Sequence, residues 1–145
     1  MTPAGTNFEI AKDGIVGLVA GYDESPPSRD ALAFAAGLAR RNDAWLIVAS
    51  IATIPAASSI AVVSVPLAAL QTPKPAVMAD LAELGVRAEF RQATGDVATE
   101  LERIAEEARA DAIVVGRSAS RLHAYAGSVT TRLIRHAVRP ILVVP

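Results

Sequence analysis

Hydrophobic and polar positions along the chain follow two patterns: short apolar runs, and longer stretches whose apolar residues recur every three or four positions. The apolar runs predict strands that are buried on both faces, at residues 15–20, 44–51, 111–116 and 140–145. At residues 86–91 apolar and charged residues alternate, which predicts a strand with one wet face at a sheet edge. The pattern therefore predicts five strands.

The stretches with helical spacing fall between these strands. They predict helices over about 27–41, 76–84, 97–110 and 129–138, with Ser28 as the start signal of the first and Thr94 or Asp96 as that of the third. Strands that alternate with helices imply right-handed crossovers and a parallel sheet. The sequence thus predicts an α/β fold, in which a five-stranded parallel sheet lies between two layers of helices.

Composition and charge narrow the class of protein. The 145-residue chain is 52% hydrophobic, which suits a single domain at 14–145 after a ragged lead-in at 1–13. A formal net charge of −1 indicates neither nucleic acid nor an anionic membrane as a partner. The uncharged segment 56–70 is too short, and too broken by proline, to span a membrane. Zero cysteines exclude disulfides and thiolate chemistry and predict a cytoplasmic location.

The loops after the first and fourth predicted strands are the places to look for a ligand, because an open parallel sheet binds ligands where its strand order reverses. The first loop carries Asp23, whose carboxylate suits ribose hydroxyls or an exocyclic amine. The second ends at Gly127 and Ser128, where backbone N–H groups at a helix start attract phosphate. Arg117 and Arg121 would neutralise its charge. On these residues alone a structural interpretation is favoured: Ser128 caps the helix, Gly127 sharpens the turn, and the arginines are surface residues.

Motifs for other chemistry are absent from the sequence. It contains no G-x-G-x-x-G after a strand, no G-K-[ST] and no nucleophile elbow G-x-S-x-G. Two histidines are too few for a histidine metal cage, and Lys12 and Lys74 are badly placed for a phosphoaspartate switch. We therefore predict no resident metal site and no catalytic residue.

Two parts of the chain carry a recognisable residue pattern. One is the run 112–116 followed by Gly127-Ser128-Val129-Thr130 and the closing segment 135–144, and the other is the first strand followed by Asp23-Glu24-Ser25-Pro26. Together they resemble the universal stress protein (UspA-like) family. The resemblance implies a Rossmann-like sheet of order 3-2-1-4-5, a homodimer and, in one branch of the family, ATP held between the two loops.

The ATP-binding branch has a spaced glycine pattern that this chain matches incompletely. The pattern is glycine, two residues, glycine, nine residues, then glycine followed by Ser or Thr. Gly116 and Gly127 fit the first and last positions, but Ala119 stands at the second. The distance from Gly116 to Gly127 is eleven residues, two fewer than the pattern requires. A shorter loop with a methyl group in it predicts weaker contacts to a triphosphate than to adenosine.

Carried over position by position, the resemblance implies a nucleotide site built from both loops. Its adenosine side would comprise Gly21, Asp23, Ser50, Val115 and Gly116. Its phosphate side would comprise Arg117, Ser118, Ala119, Gly127, Ser128, Val129 and Thr130.

The last predicted strand is apolar and lies at a sheet edge, so it is a template for association. We predict that it pairs antiparallel with its copy in a second chain through Ile141, Leu142, Val143 and Val144. Three functions stay open: a dimeric, non-catalytic stress-response module that binds an adenine nucleotide such as ATP or AMP; a weak nucleotide hydrolase or transferase with Mg²⁺ held by phosphates and Asp23; and an interaction protein whose partner surface is segment 56–70.

Overall fold

The computed structural model describes residues 14–53, 74–117 and 129–145. Some predictions concern residues outside these ranges. They are the lead-in at 1–13, the apolar segment 56–70, and the loop residues Ser118, Ala119, Arg121, Gly127 and Ser128.

Five parallel strands form one sheet in the order β3-β2-β1-β4-β5, which confirms the predicted topology. The strands are β1 (Gly17–Gly21), β2 (Trp45–Ala52), β3 (Arg87–Thr94), β4 (Ala112–Gly116) and β5 (Ile141–Val144). The alternating strand β3 lies at one edge of the sheet, where β2 is its only partner among the described strands. β5 forms the other edge.

Helices cover both faces of the sheet: α1 (Pro26–Asn42) and α2 (Val77–Glu83) on one, α3 (Val97–Ala108) and α4 (Val129–His136) on the other. The prediction that Ser28 starts α1 is wrong, because the N-cap is Ser25 and prolines fill the first turn. Proline fits there since its missing N–H would have no partner within the helix. For α3, Asp96 is the N-cap and accepts from the backbone N–H of Thr99 at 3.0 Å. Within the described ranges, no helix is long and apolar enough to cross a membrane.

The hydrophobic core forms two layers, one on each face of the sheet. Successive residues of β1 enter opposite layers: Leu18 packs beneath α1 and α2, and Val19 packs beneath α3 and α4. Both are fully buried, as are Leu32 of α1 and Leu101 of α3. A strand that is covered on both faces needs apolar residues at every position, which explains the uninterrupted apolar runs of the sequence.

Side chains fasten the amino ends of the central strands together. Asp111, just before β4, accepts at Oδ2 from the backbone N–H groups of Val16 and Gly17 at 2.7 and 2.9 Å. The indole ring of Trp45 covers Gly17 so closely that a Cβ on this glycine would lie 1.9 Å from the ring. The start of β1 is therefore packed too tightly for any side chain at Gly17.

Arg139 joins the start of β5 to the end of α3. Its side chain is only 10% exposed, and Nη1 donates to the carbonyl oxygens of Ala105 and Ala110 at 3.1 and 3.0 Å. Nε lies 3.2 Å from Oε2 of Glu102, and Nη2 donates to Glu106. A cation at a helix C-terminus also interacts favourably with the helix dipole, so Arg139 stabilises this corner of the fold twice over.

Candidate functional site

The two central strands separate at their carboxyl ends. β1 and β4 pair only as far as Ala20 and Val114, and beyond that point each follows its outer neighbour. The N–H of Tyr22 donates to Ala49 of β2 at 2.8 Å, and that of Arg117 donates to Val144 of β5 at 2.9 Å. The strand order of the sheet reverses between β1 and β4, which is the point at which an open parallel sheet offers a crevice to a ligand.

Hydrogen bonds within the β1 loop hold Asp23 on one side of this crevice. Its Oδ1 accepts from the backbone N–H of Ser25 at 3.0 Å and from the Ser25 hydroxyl, while its own N–H donates to Oγ of Ser28 at 3.2 Å. Partial burial raises the pKa of Asp23, but the hydrogen bonds from Ser25 and Ser28 outweigh it and leave that pKa below its ordinary value. An ionised acceptor therefore stands exposed at the rim of the crevice.

The residue between Asp23 and the helix cap has a strained backbone. Glu24 adopts φ +67°, a left-handed conformation that costs a non-glycine residue about 1 kcal/mol. The turn it makes lets the chain leave β1 and enter α1 within a few residues, with Asp23 fixed at the strand end. Strain of this kind persists only where surrounding contacts over-determine the loop.

Gly116 lies where β4 meets the first turn of α1. A Cβ built on it would lie 2.2 Å from the carbonyl oxygen of Pro27, so no other residue fits without moving backbone. At Gly21, by contrast, the nearest atom to such a Cβ is 3.4 Å away, on Leu101. The close approach at Gly116 is thus made by the protein's own α1, which forms one wall of the crevice.

The first turn of α4 faces this end of β4. Oγ1 of Thr130 donates to the carbonyl oxygen of Gly116 at 3.5 Å. The backbone N–H groups of a first helical turn have no partner within the helix, and the helix dipole makes that end positive. The β4 side of the crevice can therefore attract an anion.

An ion pair joins α4 to α3 at the same end of the sheet. Nη1 of Arg132, in the first turn of α4, contacts Oδ1 of Asp96, the N-cap of α3. The hydrogen bond from Arg132 is the main reason that the pKa of Asp96 falls to about 2; burial opposes the change, and contacts with Thr99 add to it. Sequence reasoning missed this pair. A visible signal was Arg132 itself, since a cation in a first helical turn opposes the helix dipole.

The described residues of the predicted site have several distinct environments. Thr130 contacts Gly116 at the end of β4, Gly21 and Asp23 lie at the end of β1, and the side chain of Val115 is buried in the core beneath α3. Only the backbone of Val115 faces the crevice, on the edge that β1 has left. Other predicted residues lie at its margins: Ser50 next to β3, Arg117 exposed after β4, and Val129 at the start of α4.

A separate groove of about 580 Å³ lies between α1 and α2 and is reached by Tyr22 and Glu24 of the β1 loop. Its walls come mainly from small and apolar residues of the two helices. We place the candidate site between β1 and β4 instead, because the strand order of the sheet reverses there and the start of α4 contacts the end of β4. In the part of the chain that the structure describes, no three His, Cys, Asp or Glu side chains are grouped to hold a metal ion.

An open parallel sheet of order β3-β2-β1-β4-β5 with helices on both faces defines an α/β protein of the doubly wound class. The family model of the universal stress protein family matches residues 18–145 of the chain. The chain therefore belongs to the universal stress protein family. None of the curated protein sequences matches it closely enough to count as a relative.

Solved structures of this family have the same fold. A universal stress protein in complex with cAMP is 24% identical, over 90% of this chain and 97% of that one, with a TM-score of 0.67. The Archaeoglobus fulgidus universal stress protein in complex with dAMP is 20% identical, over 90% and 98%, with a TM-score of 0.58. A universal stress protein family protein from Arabidopsis thaliana with AMP bound is 16% identical, over 89% and 90%, with a TM-score of 0.59.

Proposed function

We propose that the protein is a stress-response module that binds an adenine nucleotide in the crevice between the β1 and β4 loops, without dedicated catalysis. The observation that carries the proposal is the separation of β1 and β4, with an ionised Asp23 on one side and the start of α4 on the other. Relatives with the same fold have been crystallised with cAMP, dAMP and AMP, which supports an adenine mononucleotide as the ligand.

The two sides of the crevice suit the two ends of such a ligand. Asp23 accepts from the ribose hydroxyls or the adenine amine, and backbone groups of Gly21, Val115 and Gly116 line the base, with Ser50 at the margin. The phosphate lies at the start of α4, against Val129 and Thr130. From the sequence pattern we extend the phosphate side to Ser118, Ala119, Gly127 and Ser128, with Arg117 beside them. The short loop favours AMP over ATP.

A divalent cation fits this site only as a companion of the phosphates. Mg²⁺ is commonly bound by one or two carboxylates together with substrate phosphates, and Asp23 is an exposed, ionised carboxylate at the rim. We propose that Asp23 serves a nucleotide-bound Mg²⁺ in this way only when a polyphosphate extends from the start of α4 across to the β1 loop, in place of its contact with the ribose or adenine. The hydroxyls of Ser25 and Ser28 are engaged in the cap of α1, so they have a structural role.

Calorimetry with AMP, cAMP, ATP and adenosine tests the proposal. The wild-type chain should bind AMP more tightly than ATP, and Asp23→Ala should weaken AMP by at least about tenfold, since it removes a charged acceptor. Asp30→Ala, an exposed carboxylate on α1, is the matched control and should bind as wild type does. Equal binding by the two variants, or no adenine nucleotide bound by wild type, would reject this function. Phosphate release from ATP above the buffer rate would reject its non-catalytic part.

We propose further that β5 is the centre of a homodimer interface. Large apolar side chains are exposed around this edge: Val143 of β5 at 39%, Ile134 of α4 at 62%, and Val138 in the turn between them at 84%. Exposed apolar residues grouped beside an open strand edge are typical of an association surface.

The zero cysteine count still predicts a cytoplasmic location.

Sedimentation distinguishes a dimer edge from a merely apolar one. Val143→Lys should dissociate the dimer, because it places a charge in the proposed interface. Val16→Lys is the matched control, since Val16 is 57% exposed at the opposite end of the sheet. A wild-type chain that sediments as a monomer at all concentrations, or equal dissociation by both variants, would reject the β5 dimer.

A further inference from the structure

A groove of about 410 Å³ lies at the amino ends of β2 and β3, beside the end of α3. Its apolar lining includes Trp45 and Ala108, which are both half-buried. Its charged lining comprises Arg87, Glu89 and Arg91 of β3. This surface, which we call the β3 groove, is distinct from the crevice between β1 and β4, because it lies at the opposite end of the strands.

Trp45, the only tryptophan of the chain, packs against the core layer beneath α3 and α4, and part of its surface stays open in the β3 groove. The arginines of the groove pair with exposed carboxylates, Arg87 with Asp43 at 3.3 Å and Arg91 with Glu89 at 2.7 Å. Exposed pairs contribute little to stability, so these arginines can exchange partners. An aromatic ring that is open beside arginines is typical of a contact surface.

The N-terminal segment, residues 1–13, joins the described chain beside this groove. It ends at Gly14, which is exposed, and Gly17, three residues later, pairs with Trp45. Neighbouring strands lie about 4.8 Å apart, so the far side of the groove, at β3, is about 10 Å from β1. Six extended residues span about 20 Å, so Phe8 can reach any part of the groove.

The residues of this segment complement the groove in both polarity and charge. Phe8 is the only aromatic residue of the segment, and Ile10 is a second large apolar residue close to it. The charged side chains are Glu9, Lys12 and Asp13, so the segment has two carboxylates and one cation. The groove has two arginines and one glutamate, which is the opposite balance.

We propose that the N-terminal segment of the chain docks in its own β3 groove, with Phe8 against the ring of Trp45 and Glu9 beside the arginines. A pair of aromatic rings is stabilised by burial of apolar area and by the preferred geometry of ring contacts. An arginine beside the rings adds a cation–π interaction, and the carboxylate of Glu9 adds an ion pair. The docked segment covers the open part of Trp45.

The experiment is acrylamide quenching of tryptophan fluorescence in the full chain, because the single tryptophan reports on the groove alone. Phe8→Ala should raise the quenching constant about twofold, since loss of the apolar contact releases the segment and exposes the ring. Phe34→Ala is the matched control. Phe34 is 45% exposed on α1, on the other face of the sheet, so its removal should leave the quenching constant unchanged.

A second variant tests the charge contact. Glu9→Arg places a cation beside the arginines and should raise the quenching constant by less than Phe8→Ala does. Its difference from wild type should disappear in about 1 M NaCl, because salt screens exposed charges. Asp30→Arg, an exposed residue of α1, is the matched control and should quench as wild type does.

Each result decides for or against the docked segment. A higher quenching constant for Phe8→Ala, with Phe34→Ala unchanged and no dependence on protein concentration, supports it. Equal quenching of wild type and Phe8→Ala overturns it, and so does an equal rise for the two phenylalanine variants. Quenching of wild type that increases on dilution would assign the groove to a second copy of the chain and overturn it as well.

Discussion

At the amino ends of the strands, side-chain hydrogen bonds join separate backbone segments, whereas at the carboxyl ends β1 and β4 no longer pair with each other. Asp111 holds the start of β1, and Arg139 holds the start of β5 against α3. At the other end, β1 and β4 part after Ala20 and Val114, and the polar groups there serve helix starts.

The difference separates stability from binding within one sheet. Polar groups at the amino ends hold separate backbone segments together, so their removal should lower the free energy of unfolding. Asp23 at the carboxyl end of β1 remains exposed, so its removal should change affinity more than stability. Substitutions at the two ends can therefore test the division directly.

The largest effect on stability is expected from Arg139→Met. Removal of this guanidinium leaves the carboxylate of Glu102 partly buried without its counterion, and Oε1 of Glu102 already has no hydrogen-bond partner among the described residues. Loss of one member of such a pair should lower the free energy of unfolding by about 3 kcal/mol in urea denaturation. Arg103→Met is the control and should change it far less, because its ion pairs on α3 are exposed. The affinity of Arg139→Met for AMP should equal that of wild type. A lower affinity would contradict the assignment of the amino ends to stability and the carboxyl ends to binding.

Gly116→Ala should have the next largest effect, at the opposite end of the sheet. The new Cβ meets the backbone carbonyl of Pro27 and forces β4 and α1 apart, which should lower the free energy of unfolding by about 2 kcal/mol. Gly21→Ala is the matched variant in β1, where the nearest atom allows ordinary contact at 3.4 Å, and thermal melting should show a much smaller loss. Equal losses in the two variants would mean that α1 does not pack on Gly116 as described.

A smaller effect, which disappears in acid, is expected from Asp96. Its pKa of about 2 lies below the ordinary value of 3.8, so the ionised form stabilises the folded chain above that ordinary value, and the stabilisation is lost as pH falls through about 2. The contribution should stay below about 1 kcal/mol because the pair is partly exposed. Urea denaturation at pH 5 and pH 3 should show a steeper loss for wild type than for Asp96→Asn. Parallel losses would contradict the Arg132 contact.

The hydrophobic pattern within single segments was enough to predict the sheet. It did not predict contacts between residues that are far apart in the chain. The apolar runs identify the central strands β1, β2 and β4, and the alternation at 86–91 identifies the edge strand β3, because burial of these strands follows from their own residues. The apolar run of β5, by contrast, belongs to an edge strand whose residues are partly buried or exposed. The cap of α1 was misplaced to Ser28 because Ser25 and Ser28 are both good capping residues and only the prolines between them decide. The contact between Arg132 and Asp96 joins residues that are far apart in the chain, and no local spacing encodes it.

The division between the two ends is tested most directly by nuclear magnetic resonance, with AMP titrated into the isotope-labelled chain. Binding at the crevice predicts that the largest amide shifts cluster at the carboxyl ends of the strands, at Gly21, Asp23, Gly116 and Thr130, with the amino-end residues Gly17, Asp111 and Arg139 unchanged. Shifts that cluster at the amino ends, or spectra that AMP leaves unchanged at millimolar concentration, would contradict it.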